Sequence, residues 1–140
     1  MAGHNGATTL EWSRAYHDGV RLADCGDIVH AAPTLLRAVH LAERMGKPDE
    51  RLACSLYALG RLHRVNGRFA EAERLLRRAM FVETRALGSA HPYTRQIARA
   101  YALLLRRMGH DRQAIRIERA IAPVTSGPAH SDDAADRHAA

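Results

Sequence analysis

Gly67-Arg68-Phe69-Ala70-Glu71-Ala72-Glu73-Arg74-Leu75-Leu76-Arg77-Arg78-Ala79 reads as a tight turn followed by an amphipathic helix. The glycine permits a left-handed helix cap, and the apolar residues after it recur at helical spacing. Counted from Gly67, alanines fall at +5 (Ala72) and +12 (Ala79), with Leu76 at +9. The same frame set on Gly26 finds Ala31, Leu35 and Ala38. Set on Gly109 it finds Ala114 at +5, but Glu118 and Ile121 at +9 and +12. Seven residues before each glycine stands another small residue: Gly19, Gly60 and Ala102. The three turn glycines lie 41 and 42 residues apart. A repeat of that period, with small residues at fixed places, predicts a helical solenoid.

Working outward, the punctuation of the chain predicts six helices in three hairpins. Residues 1–8 are small and polar and are expected to be disordered, with Thr8 and Glu11 forming a capping box for a first helix from Thr9 to about Asp24. A second helix runs from about Ile28 to Met45, with Pro33 inside it; a proline there predicts a late start near Ala32 or a bend. Gly46-Lys47-Pro48-Asp49 breaks the chain before a third helix, Glu50 to Val65. The fourth spans Phe69 to Leu87, with Glu73 placed to pair with Arg77 one turn on. Pro92 suits the first turn of a fifth helix reaching Met108. A short sixth helix ends before Pro123, and 123–140 reads as a disordered, acidic, Ala-rich tail. One helical domain over 9–122 follows, in three units (9–45, 49–87, 92–122). Gly60 with Ala72, Gly19 with Ala31, and Ala102 with Ala114 are expected to meet at the helix crossings.

Composition excludes several classes. The net charge is +6, and the tail carries −2, so the body carries +8, nearly all of it arginine. Arginine's planar fork suits carboxylates and phosphates. Cys25 and Cys54 have no metal-like spacing and make no disulfide framework. No apolar run approaches the roughly 20 residues of a membrane span, and the N-terminus lacks the regions of a signal peptide, so a cytoplasmic protein with free thiols is expected. The histidines form no i, i+4 pair, and no phosphate-binding loop, dinucleotide fingerprint or nucleophile elbow occurs. Neither an enzyme nor a metal or other cofactor is expected. His63 is read as a core histidine.

The small residue seven before each turn glycine and the alanines at +5 and +12 resemble the tetratricopeptide repeat. The long period and the segment Glu83-Thr-Arg-Ala-Leu-Gly-Ser-Ala-His-Pro are similar to the kinesin-light-chain variety, whose repeats are joined through Gly-x-x-His-Pro. The resemblance covers residues 10–122 and implies an all-α, right-handed superhelix of three helix-hairpin repeats. It departs at the first linker, which has no histidine, and in the third repeat, which is one residue short after Ala114.

Residues at i, i+3, i+7 and i+10 share a helix face. Such stripes are Cys54, Tyr57, Arg61 and Arg64 on the third helix, and Gln96, Arg99, Leu103 and Arg106 on the fifth, with Arg107 beside it. The first helix offers Ser13, Tyr16, Val20 and Ala23, with Asp24 beside them. The resemblance implies that this face of the first helix of each pair lines a concave groove. The expected function is an interaction scaffold binding an acidic peptide through Tyr16, Tyr57, Arg61, Arg64, Gln96, Arg99, Leu103 and Arg106. The family's carboxylate clamp uses groove asparagines and lysines that are missing here, so that specificity is not carried over. The alternatives are a nucleic-acid-binding protein, using Arg74, Arg77, Arg78 and Arg85, and a secretion-chaperone-like adaptor. Nucleic acid is disfavoured because Glu71, Glu73 and Glu83 share that helix. Ile115, Ile117 and Ile121 on the last helix suggest a homodimer contact, and the acidic tail is long enough to reach back to the groove.

Overall fold

Gly26, Gly67 and Gly109 adopt φ of 81°, 79° and 81°, a left-handed conformation in which a side chain would be strained. Around each, the same two hydrogen bonds recur. The glycine N–H donates to Ala23, Arg64 or Arg106, and the next N–H to Leu22, His63 or Leu105, at 2.8–3.1 Å. This is the Schellman closure of a helix C-terminus, made three times, and it turns the chain back on itself each time.

The computed structural model describes the backbone of residues 2–123 and the side chains from Gly6 onward. Six helices follow one another: α1 (Ala2–Asp24), α2 (Ile28–Glu43), α3 (Glu50–Val65), α4 (Phe69–Leu87), α5 (Pro92–Arg107) and α6 (Asp111–Ile121). Among the described residues there is no strand. Helices α1 and α2, α3 and α4, and α5 and α6 pack as hairpins. Contacts of α2 with α3 and of α4 with α5 stack the hairpins in sequence, giving the expected all-α solenoid of three repeats. The disordered tail read from the sequence, and its return to the groove, fall beyond Pro123 and outside the described residues.

The core is built from leucines and alanines. Leu35, Leu52, Leu56, Leu59, Leu62 and Ile97 belong to one cluster that runs from the first repeat through the second to α5 of the third; Leu76, Tyr101, Leu104, Leu105 and Ala114 form a second toward the C-terminus. Ala31, Ala72 and Ala114 are fully buried. The nearest neighbour of Gly19 and of Gly60 is a leucine. A Cβ on Gly60 would stand 3.0 Å from Cγ and Cδ2 of Leu76, and one on Gly19 would stand 2.5 Å from Cδ2 of Leu35. It is the leucine at +9 that lies directly over the glycine.

The third repeat explains its own irregularity. Glu118 occupies the +9 place but turns outward to Arg106, and Ile117, one residue earlier, packs on the cluster of Ala102 and Leu105. The missing residue is thus absorbed by a one-place shift of α6.

Three boundaries differ from expectation. Helix α1 begins at Ala2 rather than Thr9, so residues 2–8 are helical and Thr8 lies inside the helix instead of capping it. The turn around Thr9 is tied to α3, because Arg51 Nη1 donates to Thr9 Oγ1 at 3.1 Å, a tertiary contact that no local pattern encodes. Helix α2 runs through Pro33 from its cap at Asp27. The ring removes only the bond to Val29, and both residues are exposed, so water can serve the freed carbonyl. Helix α2 also stops at Glu43, short of Met45.

The linkers match in function though not in sequence. His91 Nδ1 accepts from the Tyr93 N–H at 3.1 Å and caps α5, with Pro92 next to it. Asp49, 42 residues earlier, accepts from the Arg51 N–H at 2.9 Å and caps α3. The histidine missing from the first linker is replaced by another cap acceptor.

Candidate functional site

The first helices of the three hairpins bring aromatic rings together. Trp12 and Tyr16, one turn apart on α1, stack with centroids 5.3 Å apart. Tyr57 of α3 meets Tyr93 of α5 edge-on at 6.0 Å. The indole N–H of Trp12 donates to Ser55 Oγ at 2.8 Å, which fixes the ring against α3. Ser55 in turn donates to the Arg51 carbonyl at 2.7 Å, so this buried hydroxyl is satisfied.

Two regions of opposite charge flank these rings. Toward the C-terminal ends of α3 and α5 lie arginines. Arg61 is exposed, its guanidinium 5.6 Å from the centroid of Tyr57, a cation–π arrangement. Arg64 is half-buried, with Nε shut off from solvent and without a hydrogen-bond partner. Arg99 on α5 is exposed, with no ion pair among the described residues. Arg95 Nε is in the same unpartnered state as that of Arg64; a stripe begun at Gln96 passes over it. Gln96 and Leu103 are exposed, Leu103 strongly so.

Arg106 departs from its expected place. Its Nε and Nη2 both reach the Glu118 carboxylate of α6, at 2.9 and 2.6 Å, and this pairing holds Glu118 below the usual carboxylate range. The guanidinium is engaged within its own hairpin by an exposed ion pair, which a ligand carboxylate must displace. The one-place shift of α6 brings Glu118 within its reach.

Toward the N-terminal ends of α3 and α5 is a cleft of about 640 Å³, with Trp12, Tyr16, Cys54 and Tyr93 among its walls and Asp49, Glu50 and Arg51 at its rim. Burial pushes the Tyr16 hydroxyl and the Cys54 thiol each up to about 12, which disfavours their ionised forms near neutrality. Beside the cleft is Glu83, which is fully buried. Neither of its carboxylate oxygens has a hydrogen-bond partner. Burial, then the charges of Glu50 and Asp49, raise its pKa to about 7.

The other candidates resolve differently. His63 is half-buried rather than a core residue, with Nδ1 3.4 Å from Glu71 Oε2 across the hairpin; burial lowers its pKa despite that carboxylate. Of the arginines considered for nucleic acid, Arg77 pairs with Glu73 at 3.4 Å and Arg78 with Glu43 at 2.9 Å, which breaks the basic patch on α4. Ile117 and Ile121 line a hollow against Met80 and Ala98, while Ile115 is the more exposed of the three. Among the described residues no group of histidine, cysteine or carboxylate side chains could hold a metal, and no helix is long and apolar enough to cross a membrane.

Comparison with known proteins agrees with this architecture. The tetratricopeptide repeat family matches residues 51–121. No curated protein matches the chain. A solved structure of nearly identical TPR-like repeats, described as those of a kinesin light chain of Podosopora anserina, superposes with a TM-score of 0.69 at 18% identity. The match covers 83% of this chain and 56% of that one, so this chain spans just over half the length of its structural relative.

Proposed function

The chain belongs to the tetratricopeptide repeat family, and from that membership we propose that it is an interaction scaffold holding an acidic peptide segment against the shared face of α3 and α5. Repeats of this family mediate protein–protein interaction. By likeness to them, this face is the concave groove. Tyr57, Arg61, Arg64 and Arg99 make the contacts, with Gln96 and Leu103 at the margin and Arg106 withdrawn to Glu118.

The observation that carries the reading is the state of the arginines. Seven arginines of the described chain are held by carboxylates; Arg61, Arg64 and Arg99 are among those that are not, and these three share the face of α3 and α5 with Tyr57. Arginine takes a carboxylate with two parallel hydrogen bonds, and neighbouring helices lie about 8–10 Å apart, within reach of one extended chain. Tyr57, already under Arg61, adds a flat apolar surface, and aromatic–arginine surfaces dominate binding energy at interfaces.

Fluorescence anisotropy with a labelled peptide of alternating glutamate and leucine tests this. Binding should be saturable and weaken steadily as salt is raised. A peptide with glutamine in place of glutamate that binds equally well would overturn the reading.

A further inference from the structure

The cleft at the N-terminal ends of α3 and α5 differs in charge from the arginine region and has its own chemistry. Glu83 on α4 lies three and four residues before Ala86 and Leu87, which line the cleft, so all three share one helix face. Glu83 is felt electrostatically by Asp49 and Glu50 at the rim and by Cys54 and Tyr93 in the walls. A buried carboxylate with both oxygens unpaired is rare in native folds and usually marks a missing partner. Asp49 has one in Arg51, whose Nε lies 3.2 Å away. Arg51 is itself held in place by Thr9 and Met45. Glu50 has no ion pair among the described residues, so it carries uncompensated negative charge at the rim, and Glu83 adds its own when it ionises.

We propose that this cleft receives a basic side chain of a partner protein, a lysine or arginine whose stem lies on Trp12, Tyr16 and Tyr93 and whose charge meets Glu50 above Glu83. The choice of an organic cation over a metal ion follows from the walls. The carboxylates do not converge as a metal's ligands must, whereas aromatic faces attract ammonium and guanidinium groups. Glu50 offers the exposed hydrogen-bond acceptor. Glu83, shielded from water, contributes a field when ionised that the apolar surroundings leave largely unscreened, and a cation in the cleft favours that ionised form. The site adjoins the proposed peptide surface but uses none of its arginines, and it stands if that reading fails.

Trp12 is the only tryptophan of the chain and lines the cleft, so its fluorescence reports occupancy. The probe is a blocked pentapeptide, Ala-Ala-Lys-Ala-Ala, which has no acidic residue, against its norleucine counterpart. The lysine peptide should give a saturable change and the norleucine peptide none. Glu50→Gln with Glu83→Gln should weaken the lysine peptide about tenfold or more, with circular dichroism confirming the fold; Glu50→Gln alone, on the surface, should weaken it about threefold. Arg61→Glu with Arg99→Glu brings negative charge nearer to Tyr16 and should not weaken this response, although it weakens the acidic peptide, which separates the cleft from the arginine region. No saturable change with lysine, an equal change with norleucine, or wild-type affinity in the carboxamide variants overturns the proposal.

Discussion

The Cβ that Gly19 lacks would stand 2.5 Å from Cδ2 and 2.6 Å from Cγ of Leu35, while the corresponding positions at Gly60 are both 3.0 Å from Leu76. The same crossing is therefore tighter in the first repeat than in the second. At Gly60 the added atom meets the flexible part of a side chain, and alanine gains about 0.5–1 kcal/mol of helix propensity, so Gly60→Ala should come out near neutral. Gly19→Ala must displace Leu35, also 3.3 Å away at its backbone nitrogen, and should cost about 1–3 kcal/mol. Thermal melts of both variants check this; equal midpoints would show that the crossings do not differ. Gly60→Leu should overpack the hairpin and melt well below wild type.

Glu83 should make stability depend on pH. Its folded pKa, about 7, lies above the ordinary 4.5, so the folded state holds the proton more tightly than the unfolded chain. That contribution favours folding below about 4.5 and is lost as pH rises through about 7. The loss should be at most roughly 3 kcal/mol. Glu83→Gln, neutral at all pH, should flatten this part of the profile between those values. Urea titrations of both proteins at pH 5 and pH 8 measure it; the same drop in both would remove Glu83 as its source.

The two linker caps should be interchangeable. His91 caps α5 through Nδ1 and Asp49 caps α3 through Oδ1 at the equivalent place. His91→Ala should cost about 1 kcal/mol, a typical cap loss. His91→Asp should restore it. Denaturant midpoints decide; an alanine variant as stable as wild type would deny the cap its role.

Much of this fold was legible in the chain because glycine and proline act locally. The turns at Gly26, Gly67 and Gly109 and the bounds of α3 and α4 follow from positive φ and helical period. The start of α1 was not, because Thr9 is tied by Arg51, 42 residues away. The leucines at +9 stand in the repeat frame, but which of the small and large residues lies directly over Gly19 and Gly60 depends on the helix crossing, which spacing does not report. At the candidate site, the stripe Tyr57, Arg61 and Arg64 was visible in the spacing. The pairing of Arg106 with Glu118 was not legible, because it depends on a one-residue shift in α6. Glu83 gave no sign as part of a site, because it sits on a second helix and matters through burial, which spacing does not report.

The most direct test of the scaffold reading compares two charge reversals in peptide binding. One is Arg61→Glu with Arg99→Glu on the shared face of α3 and α5. The other is Arg74→Glu with Arg85→Glu, both exposed on α4 and without ion pairs, unlike Arg77, which Glu73 holds. Both change net charge equally, so a difference between them isolates position. Anisotropy with the labelled acidic peptide should show the first variant weakened about tenfold or more, near 1.4 kcal/mol, and the second within about twofold of wild type. Equal weakening in the two variants would mean that net charge alone draws the peptide, and the arginine face would lose its claim to be the binding surface.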